Sequence, residues 1–346
     1  MKKISNVIKN NYKIFIGFVL GLVVASTSVY AANTIYSKNV TYDNSNSGLS
    51  ATNVQDALDE TYTKCFPPVL ATNKIIDLYN AGPSFDKSSL GSYNIAQKIL
   101  LDNNGDYRYS GAAVNNYVEF NNELWRIIGI FHDVDDGNGN KEQRIKIIRS
   151  ESIGEYAFGE TADWTNSGLK DLLNTLYYNS QSGSCYGGAD NPSAICDFTS
   201  IGLNSTARNM IDNAVYYLGE LTGYGGCLTY NCYEEERSGD YWIGKIGIIY
   251  PSDYTFARNY NVSDYKENWL YTGNVEWTIS PWEYNDTSYG YNVVNFITSD
   301  GGIDNDLNSN TRTYELNSVL PVLYLKSDVI INGGTGTESD PYTLKL

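Results

Sequence analysis

The chain has 346 residues, with 24 basic residues, 40 acidic residues, five Cys and a single His. A length near 350 allows one large domain or two ordinary ones, and an apolar content of 42% excludes a disordered chain. Only 18% of the residues are charged, whereas Tyr occupies 31 positions and Asn occupies 39. Polarity supplied by amides and hydroxyls is typical of a binding or cell-surface protein and not of a cytoplasmic enzyme.

The N-terminus carries an export pattern. Lysines at positions 2, 3, 9 and 13 precede an uninterrupted apolar run over residues 14–25, and small residues follow up to Ala31. This order predicts that residues 1–31 are a secretory signal peptide cut after Ala31. An uncleaved signal anchor is the alternative, because residues 14–32 are just long enough to span about 30 Å of hydrocarbon. Both predict an extracellular body, either secreted or anchored to the outer face of the plasma membrane.

Cleavage of the export segment would make the net charge of the chain more negative. Removal of residues 1–31 takes away four Lys and no acid, which leaves 20 basic and 40 acidic residues and a net charge near −20. Such a field repels nucleic acid and anionic lipid. We therefore expect no nucleic-acid partner, and membrane contact only through the N-terminal segment. The expected partner is a glycan or a host or bacterial surface protein.

The body divides into three predicted segments. Residues 32–64 are predicted to form a short stalk with one helix, in which Thr52 and Gln55 have capping-box spacing and Val54 and Leu58 share a face. Such a face allows a homo-oligomer formed through the stalk. Residues 65–112 are predicted to be a linker and helical subregion, since Pro67 and Pro68 cannot continue a helix. Residues 113–346 are predicted to form the main surface domain.

The patterns in the main domain predict an α+β fold with a mixed or antiparallel sheet and two to three helices. Residues 124–131 and 143–149 form a predicted hairpin around a turn at 132–142, with Trp125, Ile127, Ile145 and Ile147 on one buried face. Helical spacing is present over 169–177 and 207–221, and a further helix begins at Pro251. Predicted strands cover residues 241–250, 276–280, 291–298, 319–326 and 328–331.

Four blocks of sequence carry a family resemblance. They are NNYVEFNNELWRIIGIF (115–131), YWIGKIGIIYPSDYTFA (241–257), NVEWTISP (274–281) and PVLYLKSDVIINGGTGTESDPYTL (321–344). In order and spacing they resemble a largely uncharacterised family of exported surface proteins of Firmicutes and related Gram-positive bacteria. The segment VTYDNSNSGLSATNVQDALDETY (40–62) is in turn similar to spacers of bacterial surface proteins and phage tail fibres.

The C-terminal blocks also resemble domains of C-type-lectin-like or formylglycine-generating-enzyme-like fold. That likeness implies a C-type-lectin-like fold for the main domain. The chain departs from the pattern at Leu320, where family members usually have Arg before Pro321. The cysteine spacing gives no support for the copper site of formylglycine-generating enzymes.

Catalytic motifs are scarce. The only His, His132, stands in a Gly- and Asp-rich stretch that predicts a solvated turn, and one His excludes the HExxH zinc hydrolases. In an oxidising exterior the simplest disulfides are Cys185–Cys196 and Cys227–Cys232, although cross-pairing among the four stays open. Cys65 is left over, which suits an intermolecular bond or a free thiol.

Carboxylate oxygens are more plausible metal ligands in this sequence than His or Cys side chains. Asp300, Asp304 and Asp306 share a loop with the oxygen ligands that extracellular calcium prefers, and no other cofactor is expected. The competing interpretation is an ordinary turn rich in Asp, Asn and Gly.

The aromatic residues give the main functional hypothesis. Flat amphipathic rings stack on sugars or anchor protein interfaces at low entropic cost. The polar loop that follows Pro281 is the predicted exposed binding patch, formed by Trp282, Tyr284, Asn285, Asp286 and Tyr289. The chain is thus interpreted as a non-enzymatic, adhesin-like surface module that binds a glycan or a protein. The alternatives are a wall-active carbohydrate hydrolase with paired carboxylates such as Glu276 and Glu283, and a structural subunit of a surface assembly.

Overall fold

The computed structural model describes residues 37–65, 69–87, 90–222, 229–258, 266–282, 293–304 and 313–346. The chain divides into two compact units, Met1–Pro67 and Pro68–Leu346. The predicted export segment, residues 1–31, lies outside the described residues. None of the helices in the described ranges has both the length and the apolarity needed to cross a bilayer.

The first unit is built on helix α1, Val54–Cys65. Its N-cap is Asn53 instead of the predicted Thr52, because the Asn53 side chain accepts the N–H of Asp56 at 2.9 Å. The Glu60 carboxylate accepts the N–H groups of Ser50 and Ala51 and so ties the preceding loop to the helix. Cys65, at the end of α1, is an exposed free thiol.

The second unit is centred on a 12-stranded, mostly antiparallel sheet. Its strands are β1 Val69–Leu70, β2 Ser84–Lys87, β3 Gly91–Asn94, β4 Ile99–Asp102, β5 Tyr107–Tyr109, β6 Tyr117–Phe120, β7 Glu123–Asp135, β8 Lys141–Arg149, β14 Ile246–Gly247, β19 Val322–Tyr324, β20 Ile330–Gly333 and β21 Tyr342–Lys345. Nine of them follow the order β1-β20-β21-β6-β7-β5-β4-β3-β2, and β8-β19-β14 branch from β7. The last strand of the chain, β21, pairs with β6 in parallel and lies inside the sheet between β20 and β6.

Smaller sheets and helices surround it. A five-stranded sheet has the order β17-β16-β15-β18-β9, formed by β9 Glu155–Ala157, β15 Glu276–Pro281, β16 Val294–Ile297, β17 Ile303–Asp304 and β18 Leu316–Ser318. Two ribbons pair β10 Ser182–Cys185 with β11 Ala194–Asp197, and β12 Ala214–Tyr217 with β13 Tyr241–Gly244. The helices are α2 Ala71–Asn80, α3 Gly168–Asp171 with its π-helical continuation Leu172–Tyr177, α4 Ser205–Asn209, α5 Thr229–Glu236 and α6 Pro251–Ala257. The predicted α+β class is confirmed, with more and shorter helices than expected.

The β7–β8 hairpin forms the core as predicted. Trp125, Ile127, Ile145 and Ile147 are each at most 2% exposed. Ile127 pairs with Ile147 across the hairpin, and β-bulges in β7 adjust the register before the turn.

Two regions differ from the sequence-based expectation. Residues 69–112 contain one helix, α2, and then the strands β2–β5 of the main sheet, instead of forming a mainly helical linker. The expected helix over 207–221 ends at Asn209 and is followed by β12, in which Ala214 and Tyr216 are buried while Val215 and Tyr217 are partly exposed. This two-residue alternation of burial is that of a strand and not of a helix.

The expected strand over 241–250 is also divided. Its first part, β13, pairs with β12, and its second part, β14, pairs with β19 of the main sheet. Tyr241 and Ile243 are 56% and 39% exposed, so the first part is not a buried strand.

The disulfide pattern agrees with the simplest pairing where it is described. Cys185 and Cys196 are joined, and they link the ends of the β10–β11 ribbon. Cys232 is also disulfide-bonded. Its predicted partner, Cys227, lies outside the described residues.

Candidate functional site

Several aromatic and charged side chains and His132 surround a recess near the turn end of the β7–β8 hairpin. We call it the tyrosine recess. It is a cavity of about 40 Å³ lined by Asp106, Phe131, His132, Asp133, Val134, Asp135, Val215, Tyr217, Tyr233, Arg237, Tyr250 and Tyr324. Strands β7, β12 and β19 and helix α5 supply most of these side chains. The cavity has room for a single polar group of a larger ligand.

The β12–β13 ribbon extends one wall of the recess outward. Val215 pairs with Ile243 and Tyr217 pairs with Tyr241, and residues opposite each other in an antiparallel pair share a face. We call these four residues the outer ribbon face. It presents two neighbouring tyrosine rings beside the recess, of which Tyr241 is 56% exposed.

The hairpin turn holds the ribbon in place. Gly137 has φ +86°, and a Cβ atom at this position would lie 2.6 Å from Cγ2 of Ile243. The Asp135 carboxylate accepts the N–H of Gly137 at 2.7 Å and fixes the turn. The recess and the outer ribbon face are thus fixed against each other by direct packing.

The interior of the recess has polar groups with unused hydrogen-bonding capacity. Tyr324 is 5% exposed, and its hydroxyl has no hydrogen-bond partner among the described residues. The guanidinium of Arg237 lies 3.3 Å from the Tyr233 ring centroid and 3.7 Å from the Glu236 carboxylate, and its side chain is 22% exposed. Both groups can donate to an oxygen that enters the recess.

His132 contributes an acceptor. It lies in β7, not in the turn as predicted, and its side chain is 46% exposed. Its Nδ1 is 2.8 Å from Oδ1 of the buried Asp106. A neutral ring held in this way carries its proton on Nδ1 and leaves Nε2 as an acceptor. The recess therefore offers donors and an acceptor together, which matches a hydroxylated ligand.

A buried cluster of charges lies under the recess. Arg108 is 1% exposed and binds three carboxylates, at 2.7 Å to Asp102, 3.2 Å to Asp106 and 2.9 Å to Asp253. Lys146, which is fully buried, forms a further ion pair with Asp253. Every charge in this cluster has a partner, and this is the condition under which charges are tolerated in a protein core.

Burial shifts the pKa values of this cluster and of the neighbouring Glu236, and the direction differs between the groups. Burial raises the pKa of Glu236 to about 7, although Arg237 and Ser252 oppose the shift. Burial lowers the pKa of Lys146 to about 8 against the attraction of Asp253. For Asp253 burial alone would raise the pKa, but Lys146 and Arg108 bring it below its usual value. The cluster holds Asp106, and through it His132, in a fixed position.

One pair of side chains in the recess has the geometry of a general base. His132 and Asp106 have the arrangement of a base and its orienting carboxylate. The described lining of the recess contains no Ser, Thr, Cys or Lys that could act as a nucleophile beside it. Tyr233, whose hydroxyl lies in the recess, donates to Asp106 at 3.0 Å, and burial raises its pKa.

Of the predicted binding patch, only Trp282 is described. Trp282 is only 6% exposed, its backbone N–H donates to Val293, and it forms a parallel bridge with Leu221. It therefore does not belong to an exposed patch, because it packs between two segments instead of projecting from a loop. The other members of the patch lie outside the described residues, namely Tyr284, Asn285, Asp286 and Tyr289.

The candidate calcium loop is described in part. The Asp300 carboxylate accepts from Thr298 and from the N–H of Gly302, as in a self-contained turn. Asp304 lies in β17, and Asp306 is outside the described residues. Within the described ranges no group of three His, Cys, Asp or Glu side chains is placed to hold a metal ion. A calcium site that includes Asp306 stays a prediction.

The candidate hydrolase pair is likewise described in part. Glu276 is 3% exposed, and burial raises its pKa to about 7, while its carboxylate accepts from Thr272. It lines neither the tyrosine recess nor the larger groove described below. Glu283 lies outside the described residues.

The tyrosines and Arg237 of the tyrosine recess were not found by sequence reasoning. When residues 207–221 are assigned to one helix, the β12–β13 ribbon is missed. The alternation of buried Tyr216 and partly exposed Tyr217, which is typical of a strand, is then not expected. The Ala-Val-Tyr-Tyr order of β12 and the Tyr-Trp-Ile order of β13 are the signals that indicate it, because both are rich in strand-forming residues.

Comparisons with protein-family models, with curated proteins and with solved structures gave no match to this chain.

Proposed function

We propose that this chain is a non-enzymatic surface protein that binds a glycan at the tyrosine recess. In this proposal a sugar ring stacks on Tyr217 and Tyr241, and one of its hydroxyl oxygens enters the recess. The observation that carries the proposal is the convergence of Tyr324, Arg237 and His132 on one cavity beside the exposed ring of Tyr241.

The electrostatics of the recess support this class of ligand. A sugar hydroxyl both donates and accepts, and the recess offers the acceptor Nε2 of His132 beside the donors Arg237 and Tyr324. The rigid ring pair of the outer ribbon face supplies flat apolar area without a large loss of side-chain entropy.

The setting of the protein is part of the proposal. Export through residues 1–31, a Gram-positive surface location and a C-type-lectin-like fold are consistent with the Asn- and Tyr-rich, acidic composition. The glycan-binding role is preferred over a protein-binding role because the recess admits only one small polar group, whereas a protein interface needs a larger buried core.

The alternative of a hydrolase rests on the His132–Asp106 pair. A general base of this kind can activate water, so the alternative role of the recess is hydrolysis of the bound glycan. A time course of the bound glycan by mass spectrometry separates the two, because a binding module leaves the glycan intact.

The test of the recess uses isothermal titration calorimetry with a glycan selected by an array screen of the full-length chain. Tyr324→Phe removes one hydroxyl and keeps the ring, so binding should weaken about five- to tenfold while folding stability is not reduced. Arg237→Met should weaken binding at least tenfold, because it removes a charged donor.

The control is Tyr177→Phe. The hydroxyl of Tyr177 is also buried without a partner in the described structure, but it lies outside the recess. This variant should bind like the wild type. Equal affinities for Tyr324→Phe, Arg237→Met and the control would contradict the assignment of the site.

A further inference from the structure

A second and larger pocket lies at the opposite end of β7. It has a volume of about 390 Å³, within the range typical of small-molecule sites, and we call it the asparagine groove. The turn between β6 and β7, the helix α4 and the strand β21 form its walls. Along β7 it is separated from the tyrosine recess by roughly 30 Å, at about 3.3 Å per residue.

The walls of the groove are fixed by hydrogen bonds. The Asn121 side chain accepts the N–H of Asn204 at 2.7 Å and donates to the carbonyl of Gly202 at 3.2 Å. The Asn204 side chain in turn caps α4 by accepting the N–H of Ala207. These contacts join the turn to the helix, so the groove exists before any ligand binds.

Other polar groups in the groove are unused. The carboxylate of Glu119, the amide of Asn122 and the hydroxyl of Thr206 line it, and they have no hydrogen-bond partner in the described part of the chain. Both Glu119 and Asn122 are exposed. The floor is apolar and includes Phe120 and Met210, which are 3% and 8% exposed.

The charge of the groove selects its ligand. Its described lining contains one carboxylate and no Lys, Arg or His. An anionic ligand would meet repulsion without a compensating cation, whereas carboxylate, amide and hydroxyl groups above an apolar floor match the hydroxyl groups and the C–H face of a sugar.

We propose that the asparagine groove is a separate binding site for a neutral sugar residue. It does not depend on the tyrosine recess, because the two cavities share no lining residue. A chain with both sites could hold one long glycan at two points or link two glycans, and either arrangement increases the effective affinity without new contacts.

The test uses saturation-transfer difference NMR of the full-length chain with methyl glycosides of glucose, galactose, mannose and N-acetylglucosamine, and with glucuronic acid as the acidic probe. At least one neutral glycoside should bind with a Kd of about 1 mM or tighter. Thr206→Trp places a bulky ring in the groove and should weaken this binding at least tenfold. Asn209→Trp, on the same helix but not in the lining, should leave it unchanged.

A second variant covers the case in which Thr206→Trp fails to fold. Asn122 has φ 61°, which Gly adopts without strain, so Asn122→Gly removes the amide and keeps the turn; binding should weaken about fivefold. The same binding should persist in Tyr241→Ala, which separates this site from the tyrosine recess. Absence of binding by any neutral glycoside, wild-type binding by Thr206→Trp or Asn122→Gly, or preference for glucuronic acid would overturn the proposal.

Discussion

At the scale of single residues, Glu236 combines complete burial with an ionisable side chain. Both the N–H and the hydroxyl of Ser252 donate to its carboxylate, and burial raises its pKa from 4.5 to about 7. Between these two pH values the folded chain keeps a proton that the unfolded chain has lost. Folding stability should therefore fall as the pH rises from 4.5 to 7, with no further contribution from Glu236 above that range.

Glu236→Gln tests this pH dependence. Glutamine is uncharged and can keep both contacts with Ser252, so the decrease in the free energy of unfolding over this range should be smaller by up to about 3 kcal/mol. Urea unfolding at several pH values measures it. The pKa of Glu276 is also raised, but Glu276 is present in both proteins, so the difference between their pH profiles reports on Glu236. An unchanged pH profile would show that Glu236 does not hold a proton in the folded state.

Single residues also show what sequence patterns do not reveal. Trp282 stands in a polar stretch and is still only 6% exposed, because Leu221, from a distant part of the chain, pairs with it and Val293 accepts its backbone N–H. His132 has turn residues after it, yet β7 continues three residues beyond it and Asp106 captures its ring. Both outcomes depend on contacts between segments far apart in sequence, which local composition cannot report.

At the scale of elements, a strong hydrophobic periodicity was sufficient to predict the type of several helices and strands. The β7–β8 hairpin, the helical stretch ending at Tyr177 and the helix beginning at Pro251 have the predicted type. The β12 segment was not predicted, because Ala214, Val215 and Leu218 fit a helical face as well as a strand and only the pairing with β13 decides between them. The tyrosine recess depends on that pairing, so it could not be predicted without it.

The β10–β11 ribbon gives a prediction at the same scale. Its disulfide closes a short loop with a sequence separation of 11, and both cysteines are nearly buried. Replacing both Cys185 and Cys196 by Ser should lower the free energy of unfolding by about 3 kcal/mol, as measured by denaturant titration. The control is Cys65→Ser, which removes an exposed free thiol and should leave stability unchanged. Equal stabilities for the two variants would contradict a stabilising role of this bond.

At the scale of the whole molecule, the second unit presents two candidate sugar sites at the two ends of its longest strand. The tyrosine recess is lined by aromatic rings, a cation, a histidine and three carboxylates, whereas the asparagine groove is lined by amides, hydroxyls and one carboxylate. This division agrees with the composition of the chain, in which Asn and Tyr together replace the usual share of charged residues. We infer that the surface is built for recognition of hydroxylated polymers.

The most direct test of this account is a glycan array probed with the full-length wild-type chain, Tyr241→Ala and Tyr62→Ala. The two tyrosines are similarly exposed, at 56% and 59%, but Tyr62 belongs to the first unit and is not a member of the outer ribbon face. We expect the wild type and Tyr62→Ala to bind the same glycans, and Tyr241→Ala to lose at least tenfold in affinity for those bound at the recess. No glycan bound by the wild type, or equal binding by the two variants, would contradict the central claim.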